Sequence, residues 1–412
     1  MIQEKTNFER FLAFMLGLSI CEGISVVFSF GNTMFTISEV ISPIIMFFLF
    51  LTKANEFSGL FKNIPTGFKL FFIIVIFSIV PGVLYFGIDA LYRYMVGLVY
   101  ISIIFTMTVN VYVLRQSRHS MILGIAIGLV LNVIFSLICF FAFNSGKVIS
   151  LEGVFPRDHF FTPTLTFRTQ GFFLEPSHFI RFVGSVILIA IANIKIKNSI
   201  FIFFLTLATI FVMMYSFSGS IVILAFGMLI YWIFSKSGSK SKITVSSVAT
   251  LLFALVLVAL IIFNPDVLSN LESIFLNILS GADITDEGNA ARFDSMKTVF
   301  ENIDVATLGC GWNLSGTLFE ARKMNIVSAF SYILQMAIEL GFLGALIYCV
   351  SLIQTSLKLI KQKNTRATAL GASLLIILAL QIGTDYSLNT CTMAVFGLVI
   401  CELEEIKINS QN

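Results

Sequence analysis

Arg168, Glu175, His178 and Arg181 fall in one run, Arg168-Thr-Gln-Gly171-Phe-Phe-Leu-Glu175-Pro-Ser-His178-Phe-Ile-Arg181. Two guanidinium groups can hold an anion, and a carboxylate and an imidazole can each move a proton. Pro176 behind Glu175 suits the first turn of a helix, whose positive dipole end also favours anions. The plainer reading has Glu175 capping that helix, His178 resting at an interface and Arg181 snorkelling. Charge held at a membrane boundary is costly, which favours a functional role. Further on, Ala291-Arg292-Phe-Asp294-Ser-Met-Lys297 reads as a short amphipathic helix, and Leu308-Gly-Cys-Gly311-Trp312-Asn313 as a tight glycine turn. An arginine on a short surface helix is ordinarily just solvated. Paired with Arg168, Arg292 becomes a second fork for phosphate oxygens.

Other chemistries lack their signatures. The sequence holds no Walker A, GxGxxG, HExxH, CxxC pair or GxSxG, so it offers no nucleotide loop, zinc site or serine nucleophile of a familiar kind. It suggests neither a metal site nor a cofactor. Gly124 and Gly128 form a GxxxG, a spacing that lets helices approach closely. Of the six cysteines, Cys21, Cys139, Cys349, Cys391 and Cys401 lie in apolar runs and Cys310 is alone in a loop, which argues against a disulfide framework. A net charge of +3 gives no basic excess for nucleic acid.

These residues must be positioned by a membrane scaffold. Hydrophobic residues make up 57% of the 412, charged residues 12%, and the mean hydropathy is +0.95, a balance suited to lipid as solvent. Apolar runs of about 20 residues, the length a crossing helix needs, recur along the chain. They predict an all-α integral membrane protein, a single polytopic unit over residues 1–412. The expected spans, about twelve, are Phe11–Phe30, Thr33–Leu51, Leu70–Ile88, Tyr94–Leu114, Met121–Phe143, Pro176–Ile194, Ser199–Met214, Phe217–Ser235, Ile243–Phe263, Gly341–Leu357, Ala367–Ile382 and Leu388–Cys401. The first lacks a small-x-small cleavage site and reads as a retained span. Lys5/Arg10, Lys53/Lys62/Lys69, Arg115/Arg118, Lys195/Lys197, Lys236/Lys240/Lys242, Lys358/Lys361/Lys363/Arg366 and Lys407 fall on alternate loops. The positive-inside rule makes that side cytoplasmic, both termini included. Two large external loops follow, residues 144–175 and 264–340, long enough to carry function. The acidic residues of the second read as a solvated face.

From Arg168 to the C-terminus the order of features resembles the O-antigen polymerase and ligase superfamily of bacterial envelopes. Arg168 with Gly171-Phe-Phe-Leu-Glu175-Pro-Ser is similar to the family's Arg-x-x-Gly-Phe-Phe segment, which in polymerases is often followed by Glu-Pro-Ser. Ser216-Phe-Ser-Gly219 resembles its Ser-Arg-Gly turn without the arginine. Arg292, Gly309-Cys-Gly311 and the run from Gln335 through Glu339-Leu-Gly341 follow in the family's order. Ligases usually carry a histidine nine residues before that glutamate; Phe330 stands there, which favours a polymerase.

The resemblance implies glycosyl transfer between an undecaprenyl-diphosphate-linked oligosaccharide donor and a similar acceptor, on the periplasmic face of the bacterial inner membrane. Arg168 and Arg292 would bind the diphosphate and stabilise the leaving group without a metal, and Arg181 and Gln335 would join them in substrate binding. Glu175, or else His178, would serve as base. Membrane lipid surrounds such a chain, and a chain-length regulator is a further partner the spans could bind. A ligase acting on lipid A core, or a lipid-linked oligosaccharide transporter, is the alternative. A transporter usually shows internal repeats, and none is clear here.

Overall fold

The computed structural model describes residues 2–21, 23, 28–30, 33–147, 149, 169, 171–173, 176–193, 208–209, 211–212, 220–235, 301–324, 331–362, 364–384 and 386–411. Backbone amides in an apolar medium must bond within their own segment, and these residues are accordingly helical. The order is α1 (Ile2–Ser19), a hairpin of β1 (Phe28–Phe30) and β2 (Thr33–Phe35), α2 (Ile37–Asn63), α3 (Thr66–Phe77), α4 (Ile79–Phe86), α5 (Ala90–Val113) and α6 (Arg118–Asn144). Then come α7 (Pro176–Asn193), α8 (Ser220–Ser235), the short α9 (Ile303–Leu308) and α10 (Ser315–Ala321), α11 (Tyr332–Ile360), α12 (Thr365–Gly383) and α13 (Thr390–Gln411). Among the described residues six stretches are long and apolar enough to cross a membrane: α2, α3 with α4, α5, α6, α11 and α12.

Several expected boundaries move. The first apolar run is not helical through Phe30: α1 stops at Ser19, and Phe28–Phe30 pairs antiparallel with Thr33–Phe35. Hydropathy is blind to this difference. The β-branched and aromatic Val26-Val-Phe-Ser-Phe30, followed by Gly31-Asn32, carries a hairpin signal inside an apolar run. Residues 332–340, expected within the second external loop, are helical, because Ser331 caps α11 by accepting from the Leu334 amide, and that helix breaks at Gly341. The expected spans Ser199–Met214 and Ile243–Phe263 lie wholly or largely outside the described residues.

Close crossings are set by small residues. Gly17 of α1 faces the Met121 carbonyl of α6, Gly124 faces the Phe14 carbonyl, and Gly128 faces the Cys21 side chain. A Cβ at any of the three would collide with those atoms. The GxxxG is therefore a packing seam, and Asn132, one further turn along it, donates to the Cys21 carbonyl at 2.7 Å. Elsewhere α11 lies along α12, and α5 along both α2 and α13.

Charge gathers at one end of the bundle. Arg115 pairs with Glu56 at 2.7 Å and Glu404 at 3.3 Å, and Arg118 with Glu405 at 2.7 Å. Arg366 reaches Glu402 and Glu405 at 3.8 and 3.7 Å, and Asn63 and Tyr112 both donate to Glu404. Arg115, Arg118 and Arg366 thus come together from turns that the charge pattern assigned to one side. All six cysteines are free, as their placement in the sequence implied.

Replacing Gly124 by leucine should lower stability by about 1–3 kcal/mol through overpacking of the α1–α6 seam. A reduced midpoint in a detergent-solubilised thermal melt would register it. Leu131→Ala, on the outward face of the same helix at 44% exposure, should leave the midpoint nearly unchanged.

Candidate functional site

A polar cavity of about 300 Å³ opens at the end of the bundle opposite the arginine cluster. Its position follows from the helices that line it. Glu39 begins α2 and Thr390 begins α13, whereas the acids bound to Arg115 and Arg118, Glu56 and Glu402 to Glu405, lie toward the far ends of those helices.

The Gly171–Phe173 turn builds one wall. Gly171 has φ +56°, and a Cβ there would strike the Asn132 side chain, so only glycine fits. Its amide donates to Ser136 Oγ at 3.1 Å, and the Phe172 amide donates to Asn132 Oδ1 at 2.7 Å. The Phe172 carbonyl accepts from Gly23 at 2.9 Å, and the Phe172 ring stacks on Phe135 with centroids 4.6 Å apart. Asn132 and Ser136 lie 12 and 8 residues before the end of α6 at Asn144. At 1.5 Å per residue the turn therefore sits about 12–18 Å below the tip of α6. The chain leaves α6 and dips back into the bundle before starting α7.

Helix α7 then presents its first turns to the cavity. His178, Arg181 and Phe182 line it, as does Phe173, which stacks on Phe182 at 5.1 Å. His178 and Arg181, three residues apart, share one helix face. Arg181 is 5% exposed. Across the cavity Thr36, Ser38 and Glu39 come from the start of α2, and Tyr386 to Cys391 from the turn before α13. Asn389 Oδ1 accepts from the Thr392 amide at 2.9 Å, an N-cap that fixes that turn. Ser38 and Thr390 share a 2.7 Å hydroxyl contact between α2 and α13, and Ser185 meets the Tyr386 hydroxyl at 3.1 Å. Burial pushes the Tyr386 phenol up, so it stays protonated.

Glu39 is the cavity residue that sequence reasoning missed. Its carboxylate Oε2 accepts from the Thr36 amide at 2.8 Å and from Thr36 Oγ1 at 3.2 Å, and Oε1 accepts from the Tyr100 hydroxyl at 2.8 Å. Thr36-x-x-Glu39 is a capping-box pattern, the signal that could have placed it at a helix start. Tyr100 is ten residues into α5, so this site too is sunk about 15 Å beneath the Ala90 end of that helix.

The second expected cluster has a different role. Helix α11 breaks at Gly341, φ +76°, which leaves carbonyls of the preceding turn without intrahelical partners. The glycine turn fills the gap: Cys310 N donates to Ile338 O and Gly311 N to Glu339 O, both at 2.8 Å. The Glu339 carboxylate accepts from Asn313 N at 3.0 Å, Ser315 Oγ at 2.6 Å and Gln335 Nε2 at 3.1 Å. Gln335, expected to bind substrate, donates within this network, to Ser315 and Glu339, and does not line the cavity described above. Its signal was legible as a motif, but its partner Ser315 was not, because it comes from a loop twenty residues away. Arg93 secures the same loop through Thr317 and Glu320, both at 3.0 Å. Asp304, read as one of the solvated acids, is exposed and also pairs with Arg322 at 2.8 Å, which holds its carboxyl below the usual range.

Of the remaining expected site residues, Arg168, Glu175 and Arg292 lie outside the described residues. Neighbouring Thr169 is buried and donates through its hydroxyl to the Val212 carbonyl. Among the described residues no group of three or more His, Cys, Asp or Glu side chains could hold a metal. Fold and site together define an α-helical protein with, among the described residues, six stretches suited to crossing a membrane, and a recessed polar cavity at one end. No family model matches the chain, and no curated protein matches it.

Glu339→Ala should strand the Asn313 amide and the Ser315 hydroxyl, at about 1–3 kcal/mol for each buried group left unpaired. Hydrogen exchange at residues 310–314 should quicken, while Glu339→Gln, which keeps an acceptor oxygen, should be milder. Gly171→Ala, forced into a left-handed conformation against Asn132, should lower the melting midpoint more than Gly146→Ala, whose Cβ would meet open space.

Proposed function

We propose that the chain is a bacterial inner-membrane polysaccharide polymerase of about twelve spans, with both termini cytoplasmic. It would join undecaprenyl-diphosphate-linked oligosaccharide repeat units on the periplasmic face, to make O-antigen or a related surface polysaccharide. The observation that carries this reading is the recessed cavity. Phe173, from the motif on which the likeness to O-antigen polymerases rests, lines it together with His178 and Arg181 just beyond that motif, and it lies at the end away from the arginine cluster. The positive-inside rule supports the arginine end as cytoplasmic, which would turn the cavity outward.

The chemistry follows from the leaving group. Departure of a diphosphate develops negative charge, and the guanidinium forks of Arg168 and Arg292 would meet it. Attack requires removal of a proton from the acceptor hydroxyl, for which Glu175, or His178 at the cavity wall, is the candidate base. The new bond from the acceptor oxygen to the anomeric carbon replaces the donor's glycosyl–diphosphate bond, whose cleavage releases undecaprenyl diphosphate and supplies the driving force, so no nucleotide is consumed. A cavity sunk below the helix tips suits a substrate tethered to an isoprenoid in the membrane, since the tether limits how far the sugar rises above the lipid.

The test is elongation by the purified protein of lipid-linked repeat units without nucleotide, with products resolved by length. Wild type should give a ladder. Arg168→Ala and Arg292→Ala should each abolish it, and Glu175→Gln should slow it about 10²–10⁴-fold if that residue is the base. Transfer to a lipid A core acceptor instead of a ladder would mean a ligase. Movement of the lipid-linked sugar across liposomes with no product would mean a transporter, and would overturn the reading.

A further inference from the structure

Glu39 is a carboxylate at 6% exposure with no cation within ion-pair distance among the described residues. Its partners are the neutral Thr36 and Tyr100 groups. Holding a carboxylate at depth without a countercharge is expensive, and such groups mark binding routes more often than packing. An ionised carboxylate offers about four acceptor positions. Two donors occupy Oε2 and one occupies Oε1, so one position on Oε1 is left for a ligand. Glu39 lines the cavity together with His178 and Arg181 from α7, while Phe173 and Phe182 supply an apolar wall.

We propose that this cavity is a subsite for one sugar ring, neutral or bearing a single acidic group, with Glu39 accepting a hydrogen bond from a ring hydroxyl. This rests on the polymerase reading and adds to it a sugar-binding position separate from the diphosphate held by Arg168 and Arg292. Charge decides against the diphosphate as occupant. A dianionic group beside Glu39 would meet a buried like charge, whereas a hydroxyl presents a donor to a carboxylate that can only accept. A single acidic substituent would be met by Arg181. Size agrees: about 300 Å³ is at the small end of ligand sites, enough for a ring or two and too little for a whole repeat unit with its lipid. Aromatic walls with a few fixed polar groups are the usual lining of such sites.

Ser387, exposed at the cavity lining, gives a probe. In a variant with the native cysteines replaced, Ser387→Cys in lipid nanodiscs is labelled with a small methanethiosulfonate reagent. The rate is compared with no addition, with lipid-linked oligosaccharide extracted from cells lacking this chain, and with undecaprenyl diphosphate alone. The sugar-bearing lipid should slow labelling at least about fivefold, the bare diphosphate should not, and adding Glu39→Gln should remove most of the protection. Glutamine keeps an acceptor oxygen for Tyr100 and Thr36, and an unchanged melting midpoint would separate lost binding from lost folding. In the elongation assay Glu39→Gln should raise KM about tenfold or more with a smaller change in kcat. Equal protection by undecaprenyl diphosphate alone, or full protection in Glu39→Gln, would overturn the subsite. Protection that depends on Glu39, from a wild type that makes no ladder, would sink the polymerase reading and leave the subsite standing.

Discussion

Every backbone amide carried into an apolar medium needs a partner, and the cost of leaving one without is several kilocalories per mole. Among the described residues the Gly171–Phe173 dip and the Gly341 break both interrupt helical bonding, and each is closed by partners from a distant part of the chain. At the dip the amides are taken by Asn132 and Ser136 of α6. At the break the carbonyls are taken by amides of Cys310 and Gly311. The dip brings α7 to the cavity and the break docks the second loop, so the same requirement that makes most of the molecule helical also dictates where its irregular features sit.

The glycines show how narrow these solutions are. A Cβ on Gly309 would strike the backbone of Glu339 to Gly341, one on Gly341 would press on the backbone of Thr307 and Leu308, and both glycines hold positive φ. Gly171 is fixed by Asn132 in the same way. The motifs that a sequence comparison would fasten on, Gly-Phe-Phe and Glu-Leu-Gly, therefore have an architectural explanation before they need a catalytic one. Glu339 and Gln335 are spent on holding a loop; His178 and Arg181 face the cavity.

Much of the helical scaffold was legible in the sequence, because a crossing helix advertises itself by about twenty apolar residues in a row. Helices α5, α6 and α12 fall within a few residues of expectation. Phe28–Phe35 did not, since an apolar strand pair and an apolar helix give the same hydropathy, and only the β-branched and aromatic content with Gly31-Asn32 distinguishes them. His178 and Arg181 were legible as a pair from their three-residue spacing. Glu39 was not, because its relation to them exists only across α2 and α7, and no local pattern reports which helix starts will be neighbours. Gln335 was legible as part of a motif, but its partner Ser315 meets it only through the docked loop.

The dip at Gly171–Phe173 lies about 12–18 Å below the tip of α6. Depth of that order acts as a filter. A polar head drawn below the tips of the surrounding helices gives up water, and the work is returned only where donors and acceptors already stand in place to receive it. A molecule lacking the matching groups would gain nothing by sinking so far, so the recess selects by what it costs to arrive as well as by what it offers on arrival.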